Sequence, residues 1–244
     1  MSDPATPVEV EKLAHELSVD PGRLGFLAAL PHETVRDLRT DLAEALFARH
    51  EARFRRLAKL SHLAPVAITA KVAEVAFSPL LGARVAAVMD VDHAVRLAGR
   101  LSPRFLTDLS VRLDPVRAAP IIRGLPAKLV VDVGRRLLER QEYLALGRFV
   151  SVVEPEAALA VVADATGEDL LRVALYTEDV AALDTVIGGV PDVRLTEVLA
   201  AGLASERYDD LATLLQAVSP PTRERLVELL ADLDGQPLLH RLQP

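Results

Sequence analysis

The chain has no cysteine and no tryptophan, and only 4% of its 244 residues are aromatic. Without cysteine there are no disulfides, no thiolate metal sites and no thiol nucleophile; the expected setting is a reducing one, the cytoplasm. The opening Met1-Ser2-Asp3-Pro4 lacks the basic start and apolar core of a secretion signal. Half of the residues are nevertheless apolar, so the apolar mass is alanine, leucine and valine, of which the first two favour helix. Strand signals are scarce. The run Lys128-Leu129-Val130-Val131 is short and lies inside a helix-period pattern. Lysine is scarce as well, confined to Lys12, Lys59, Lys71 and Lys128, so the cations are almost all arginine.

Chemical motifs are equally thin. There is no glycine-rich phosphate loop and no Gly-x-Ser-x-Gly elbow. None of the histidines (His15, His32, His50, His62, His93 and His240) has a partner at helical metal-ligand spacing. Asp90-Val91-Asp92-His93 is the most ligand-like cluster, but it falls at a helix start, where acids cap the backbone and oppose the helix dipole. The acidic doublets Glu168-Asp169, Glu178-Asp179 and Asp209-Asp210 stand at or near helix starts too. Asp90, Asp92 and His93 are therefore weak metal candidates, and no catalytic residue and no cofactor is nominated. The expectation is a non-enzymatic chain; an enzyme assembled from distant residues is the least favoured reading. The most apolar stretch, Leu60 to Val91, is broken by Lys71, Glu74, Arg84, Asp90, Pro65 and Pro79 and cannot span a membrane, which takes about 20 nearly uninterrupted apolar residues. The mean hydropathy of +0.24 is still high. It points to apolar surface covered by a partner subunit, a lipid or a ligand, or to an alanine-rich core of thin helices.

What the sequence does contain is rhythm. Ser78-Pro79, Asp90, Ser102-Pro103, Asp114-Pro115 and Leu125-Pro126 follow one another at steps of about twelve residues, and a capping side chain followed by proline marks a helix start. Each step holds about two turns, too short to persist alone. After a longer helix ending near Gln141 the marks resume at Glu142, Glu154-Pro155, Thr166, Glu178 and Val190-Pro191, and a second longer helix ends near Arg207. The segments Gln141–Pro155 and Glu206–Pro220 correspond. The predicted fold is all-α: a right-handed superhelix, or α-solenoid, of short amphipathic helices, with units 78–141 and 142–206 and a partial unit 207–244. Residues 1–77 form a separate N-terminal helical segment. There, Thr6–Leu17 reads as a helix, Asp20-Pro21 starts a short one, and Pro31 to about Ser61 reads as one long helix with Val35, Leu38, Leu42, Leu46, Phe54, Leu57 and Leu60 on its apolar face. That helix is placed to act as a lid or brace along the array, or to reach a partner.

The stretch Leu101–Leu138, with its Leu-x-Pro helix starts and the Leu125-Pro126 helix end, resembles the short-helix superhelix at the cytoplasmic N-terminus of MgtE-type magnesium transporters. It is also similar to the middle domain of the rotor protein FliG. The resemblance implies a superhelical regulatory or docking module. It transfers no functional residue, and no transmembrane pore follows the array in this chain.

Charge is sharply divided. Residues 1–48 carry 4 basic and 9 acidic side chains, residues 49–141 carry 17 and 8, and residues 142–244 carry 7 and 18, so the net charge runs −5, +9 and −11. Arg49, Arg53, Arg55, Arg56 and Lys59 form the basic peak, with Arg49, Arg53 and Arg56 on one helical face. They are the candidate site for an anionic partner, unless they are a solvated face or match the acidic half of the chain. Nucleic acid is disfavoured by the overall charge of −7, and Phe54 fits the core stripe better than a base-stacking role. The expected function is a protein-interaction or regulatory module, acting on a protein partner or on a second copy through the oppositely charged halves. The alternative is a carrier of an apolar ligand or lipid, or a protein of an anionic membrane surface.

Overall fold

The structure, a computed structural model, describes residues 5–233. Every regular element among them is helical. α1 (Thr6–Leu17), a 3₁₀ segment (Pro21–Ala29) and α2 (His32–Ala48) make the N-terminal part, closed around Val10, Leu13, Leu27 and Val35. α3 (Glu51–Leu60), a 3₁₀ turn (Ser61–Leu63) and α4 (Val66–Ala76) lead into the array. Its first five helices are α5 (Pro79–Ala86), α6 (Val91–Ala98), α7 (Pro103–Arg112), α8 (Pro115–Gly124) and α9 (Ala127–Glu139). Five more follow: α10 (Tyr143–Phe149), α11 (Pro155–Val162), α12 (Gly167–Tyr176), α13 (Val180–Gly189) and α14 (Asp192–Ala204). α15 (Tyr208–Ala217) and α16 (Pro220–Ala231) complete the described part, and residues 234–244 of the expected third unit, including His240, lie outside it.

The caps act as the sequence predicts. Ser78, Asp90, Ser102, Asp114, Thr166 and Asp179 each accept a backbone N–H from the first turn of the helix they open. Proline takes the first position of α5, α7, α8, α11 and α16, where it leaves no N–H unpaired. One mark moves. α13 is capped by Asp179 rather than Glu178, because the Glu178 carboxylate is drawn to Lys12 and Arg39 instead.

Helix starts at 79, 91, 103, 115 and 127 are followed by starts at 143, 155, 167, 180 and 192, and then at 208 and 220, so corresponding helices begin 64 or 65 residues apart. The longer helices α9 and α14 also end alike. Gln141 and Glu206 take left-handed backbone, with φ of 58° and 53°. The next N–H turns back to the helix, Glu142 to the Leu137 carbonyl at 2.9 Å and Arg207 to the Gly202 carbonyl at 2.8 Å.

Each short helix packs mainly on the helix two places along: α3 on α5, α5 on α7, α4 on α6, α6 on α8, α9 on α11, α10 on α12 and α11 on α13. The alternation shifts at the longer helices, where α7 meets both α9 and α10, and α12 meets both α14 and α15. The apolar core runs between the two resulting rows, through Ala83, Phe105 and Ile122, then Leu137 and Leu146, then Leu171, Leu199 and Leu226.

The single long helix expected over 31–61 is two helices, broken at Arg49–His50. The halves serve different neighbours. α2 lies on α1 while α3 packs on α5, and the bend lets Phe47 and Phe54 meet with ring centroids 5.6 Å apart. One continuous rod would not satisfy both contacts. The buried line on α2 is Val35, Arg39 and Phe47, while Leu38 and Leu46 of the expected stripe are exposed.

Close approach depends on glycine where α10 meets α12. A Cβ on Gly147 would stand 2.6 Å from Tyr176 Cβ and 2.8 Å from the Val173 carbonyl oxygen. Gly188, in α13, has nothing within 4 Å of that position. Gly147→Ala is therefore expected to lower stability by about 1–3 kcal/mol through overpacking against backbone. Gly188→Ala should raise it by up to about 1 kcal/mol through helix propensity. Urea unfolding midpoints of the two variants check the pair.

Candidate functional site

Three features carry chemistry: a charged edge beneath the N-terminal helix, an apolar hollow between the rows, and the corner formed by α3 and α4. The charged edge begins with arginines in the last turns of α5, α7 and α10, Arg84, Arg112 and Arg148, where a cation favours the negative end of the helix dipole. α1 lies across these ends. Its Glu16 meets Arg84 at 3.4 Å and Arg148 at 2.9 Å. His15 donates from Nε2 to the Val111 carbonyl at 2.9 Å, filling one of the free acceptors at the end of α7. Arg112 reaches Ser18 Oγ at 3.3 Å, and Tyr176 donates its hydroxyl to Glu11.

The far end of this contact is a buried charge network. Glu9 and Lys12 are 2% and 3% exposed, so neither is solvated by water. Lys12 Nζ lies 3.0 Å from Glu9 and 3.2 Å from Glu178. Arg39 lies 3.3 Å from Glu9 and 2.9 Å from Glu178. Burial alone would raise the Glu178 carboxyl; Lys12 and Arg39 outweigh it and hold the group below the ordinary glutamate value of 4.5. α2 adds a further anchor, with Arg117 stacked 4.2 Å over the Phe47 ring and paired with Glu44. Nothing in the sequence announced these contacts. Glu9, Lys12 and Arg39 look like ordinary surface charges, and their partners lie up to 166 residues away along the chain.

The hollow between the rows extends from α4 to α12 and has a volume of about 160 Å³. Its lining includes Ala94, Ala98, Ala118, Gly134, Ala157 and Ala158, small side chains that leave the two rows held apart by larger neighbours. Ser110 is the one polar side chain on the wall, and its hydroxyl is already spent on the Leu106 carbonyl at 2.8 Å. The hollow is partly open to solvent rather than sealed. Native interiors keep few voids larger than a water molecule, and water gains no partner on such a wall.

The basic residues singled out from the sequence all lie on the surface, but not as one site. Arg49 stands at the break between α2 and α3, and Arg55 is paired with Glu51 at 2.6 Å. Arg53, Arg56 and Lys59 are exposed on α3 without an ion-pair partner among the described residues. Arg53 and Arg56 share their face with Leu60, and exposed Leu63 follows; on α4, Ile68, Val72 and Val75 form a second exposed apolar face.

Asp90, Asp92 and His93 do not converge. Asp90 accepts the His93 backbone N–H at 2.9 Å, Asp92 is exposed, and the buried His93 ring turns to Ser61, 3.0 Å away, and to the stacked His62 ring at 3.9 Å. The doublets are likewise engaged. Asp169 closes a capping box with Thr166 and accepts the Tyr143 hydroxyl at 2.6 Å, which with burial pushes that phenol up to about 12. Glu168 pairs with Arg172 and Arg207, and Asp210 with Arg207. No group of three acids or histidines among the described residues is arranged to hold a metal ion.

His15 and His93 yield a pH test. Burial, the leading cause for both, lowers each ring below the ordinary value of 6.5, with Arg112 adding for His15 and His62 and Arg96 for His93. The unfolded chain therefore binds these protons more readily than the folded one. Stability is complete above 6.5 and declines as the pH falls below it towards the folded values. Thermal unfolding between pH 7.5 and 5 is expected to show this decline, and His93→Gln should flatten part of it. Comparison of the chain with protein-family models, with curated proteins and with solved structures finds no match.

Proposed function

We propose that the chain is a non-enzymatic helical-repeat docking module, whose arginine edge receives an acidic helical segment of a protein partner. The observation that carries this reading is the seat of α1: an acidic helix laid over Arg84, Arg112 and Arg148, mostly through polar contacts. An interface of that character is typical of associations that exchange. The helix thus acts as an internal stand-in for the partner. The same edge would accept α1 of a second copy. Head-to-tail self-association has further support in exposed residues without an ion-pair partner among the described residues, Arg96, Arg100 and Arg123 of the first unit and Glu154, Glu156 and Asp164 of the second. The short-helix pattern of residues 101–138, similar to the MgtE and FliG superhelices, agrees with a regulatory docking role.

A second reading rests on the corner at α3 and α4. Leu63 and Val75 are 80% and 88% exposed, far more than an isolated surface leucine or valine requires, and Arg53, Arg56, Lys59 and Lys71 lie on the same two helices. Apolar anchors beside cations suit an anionic membrane surface. Among the described residues no helix is long and apolar enough to cross a membrane, so the contact would be peripheral.

The docking reading predicts binding in trans. A labelled peptide of residues 5–19 should bind Glu16→Lys protein, whose own helix is repelled by Arg84 and Arg148, and should bind wild type much less. Added Arg84→Glu and Arg148→Glu should abolish binding, and salt should weaken it as the screening length falls from about 10 Å at 0.1 M to about 3 Å at 1 M. Fluorescence anisotropy decides; equal binding to wild type and to the arginine variants sinks the reading. The membrane reading predicts that wild type floats with phosphatidylglycerol vesicles and that Leu63→Glu with Val75→Glu does not.

A further inference from the structure

α4 opens its row with an apolar face turned outward. It packs on α6, while Ile68, Lys71, Val72 and Val75, at i, i+3, i+4 and i+7, share one exposed face. The end of a helical array ordinarily presents a polar face. α16 does so at the other end, where Glu224 and Glu228 are exposed one turn apart. Exposed Leu60 and Leu63, before α4, widen the apolar surface, and Arg53 and Arg56 share the face of Leu60 on α3. The corner has no acid to spare. Glu51 is paired with Arg55, and Glu74 accepts the Ser102 backbone N–H. A surface complementary to this corner is apolar and negatively charged.

The chain carries such a surface on α2. Its two arginines, Arg36 and Arg39, are paired with Glu9, and its Glu44 is held by Arg117. The remaining acids, Glu33, Asp37 and Asp41, are exposed and have no ion-pair partner among the described residues. They lie at i, i+4 and i+8, along one side of the helix, and exposed Leu38 and Ala45 line the next strip around it. α2 thus presents carboxylates edged with apolar side chains, the counterpart of the cations edged with apolar side chains at the corner. Within one copy no ion pair joins the two faces, since α2 lies on α1 while α3 packs on α5. An anionic bilayer would repel the acids on this adjoining helix. A second copy of the chain puts them to use.

We propose that the corner formed by α3 and α4 docks the acidic face of α2 from a second copy. Charge aligns the two faces, and the apolar side chains supply the area removed from water. Both faces are present on every copy, so the contact closes a pair or runs on from one copy to the next. None of its residues belongs to the arginine edge, so it stands or falls separately from the docking function.

Sedimentation velocity of the full chain over a concentration series tests the contact. Wild type is expected to associate, and less so as screening shortens to about 3 Å at 1 M salt. Arg56→Glu with Lys71→Glu reverses the corner, and Asp37→Lys with Asp41→Lys reverses α2. Each double variant should associate roughly tenfold or more weakly than wild type, with circular dichroism showing that it folds. An equimolar mixture of the two should associate again. The acidic corner of one then meets the basic α2 of the other, while the two unaltered faces pair as in wild type. Wild type that stays monomeric up to about 1 mM, double variants that associate as wild type does, or a mixture of folded variants no more associated than its components overturns the proposal. Monomeric wild type that floats with phosphatidylglycerol vesicles overturns it too, and assigns the corner to a membrane surface.

Discussion

A helix of two turns is not stable by itself. It forms few hydrogen bonds for the backbone freedom it loses, and it buries its apolar stripe only when a neighbour lies alongside. Helices of 7 to 10 residues make up most of the array, so lateral packing is the condition on which each of them exists. The pattern of helix upon next-but-one helix answers that condition, because it lays α5, α6, α11 and α12 each between two neighbours of its own row. The same condition explains the two longer helices. α9 and α14 fall where the alternation shifts, and the additional turn lets each bridge the step. Their shared left-handed endings at Gln141 and Glu206 then reset the chain direction at the same point of each unit.

Laying short helices side by side gathers their ends along common edges, and helix ends are electrically unlike helix middles. Arginine in the last turns of α5, α7 and α10 answers the local dipole of each helix first. Their collection into a row is a consequence of the stacking, and only then does an acidic helix have something to bind. The seat of α1 follows from this sequence of causes. Glu9 and Lys12 can be buried because Arg39 and Glu178 complete their pairing. A lone buried charge would cost several kcal/mol, so the four side chains are stable there only together. α2 and the link between α12 and α13 are therefore both required for α1 to lie where it does.

What could be read in advance follows the range of the interaction. Ser102-Pro103 and Asp114-Pro115 fix helix starts through contacts with their own first turns, and such local chemistry is written in adjacent residues. The spacing of those marks carries the period. The break at Arg49–His50 was not legible, because no glycine or proline marks it and the apolar spacing continues across it. It arises from the separate demands of α1 and α5. Arg39 was not legible as a buried residue, since its partners come from α1 and from the link between α12 and α13, and the second follows it by 139 residues. Of the cationic cluster at residues 49–59, exposure was foreseeable, but the pairing of Arg55 with Glu51 and the displacement of Arg49 onto a bend depend on geometry. The acidic doublets were legible as caps and pairs in type, though only the structure assigns Glu178 to the charge network.

The high alanine content acquires a physical meaning from the two rows. Alanine suits a short helix, since it loses no side-chain entropy on ordering, but it also contributes little volume to the space between rows. At Gly147 and Gly167 backbones meet directly within a row, α10 on α12 and α12 on α14; a Cβ on Gly167 would lie 2.4 Å from the Glu197 carbonyl oxygen. Between α4 and α12 the rows are instead held apart by Phe105, Leu109 and Leu137, while alanines face the gap. Propensity therefore favours the residue that packing would replace with leucine. That conflict is absent at the far end of the array, where Leu171, Leu199, Leu211, Leu215 and Leu230 are buried at no more than 1% exposure and fill the core. The interior is closed more fully in that half, where a hollow of about 70 Å³ remains against about 160 Å³ between α4 and α12, so the difference follows the side chains rather than the fold.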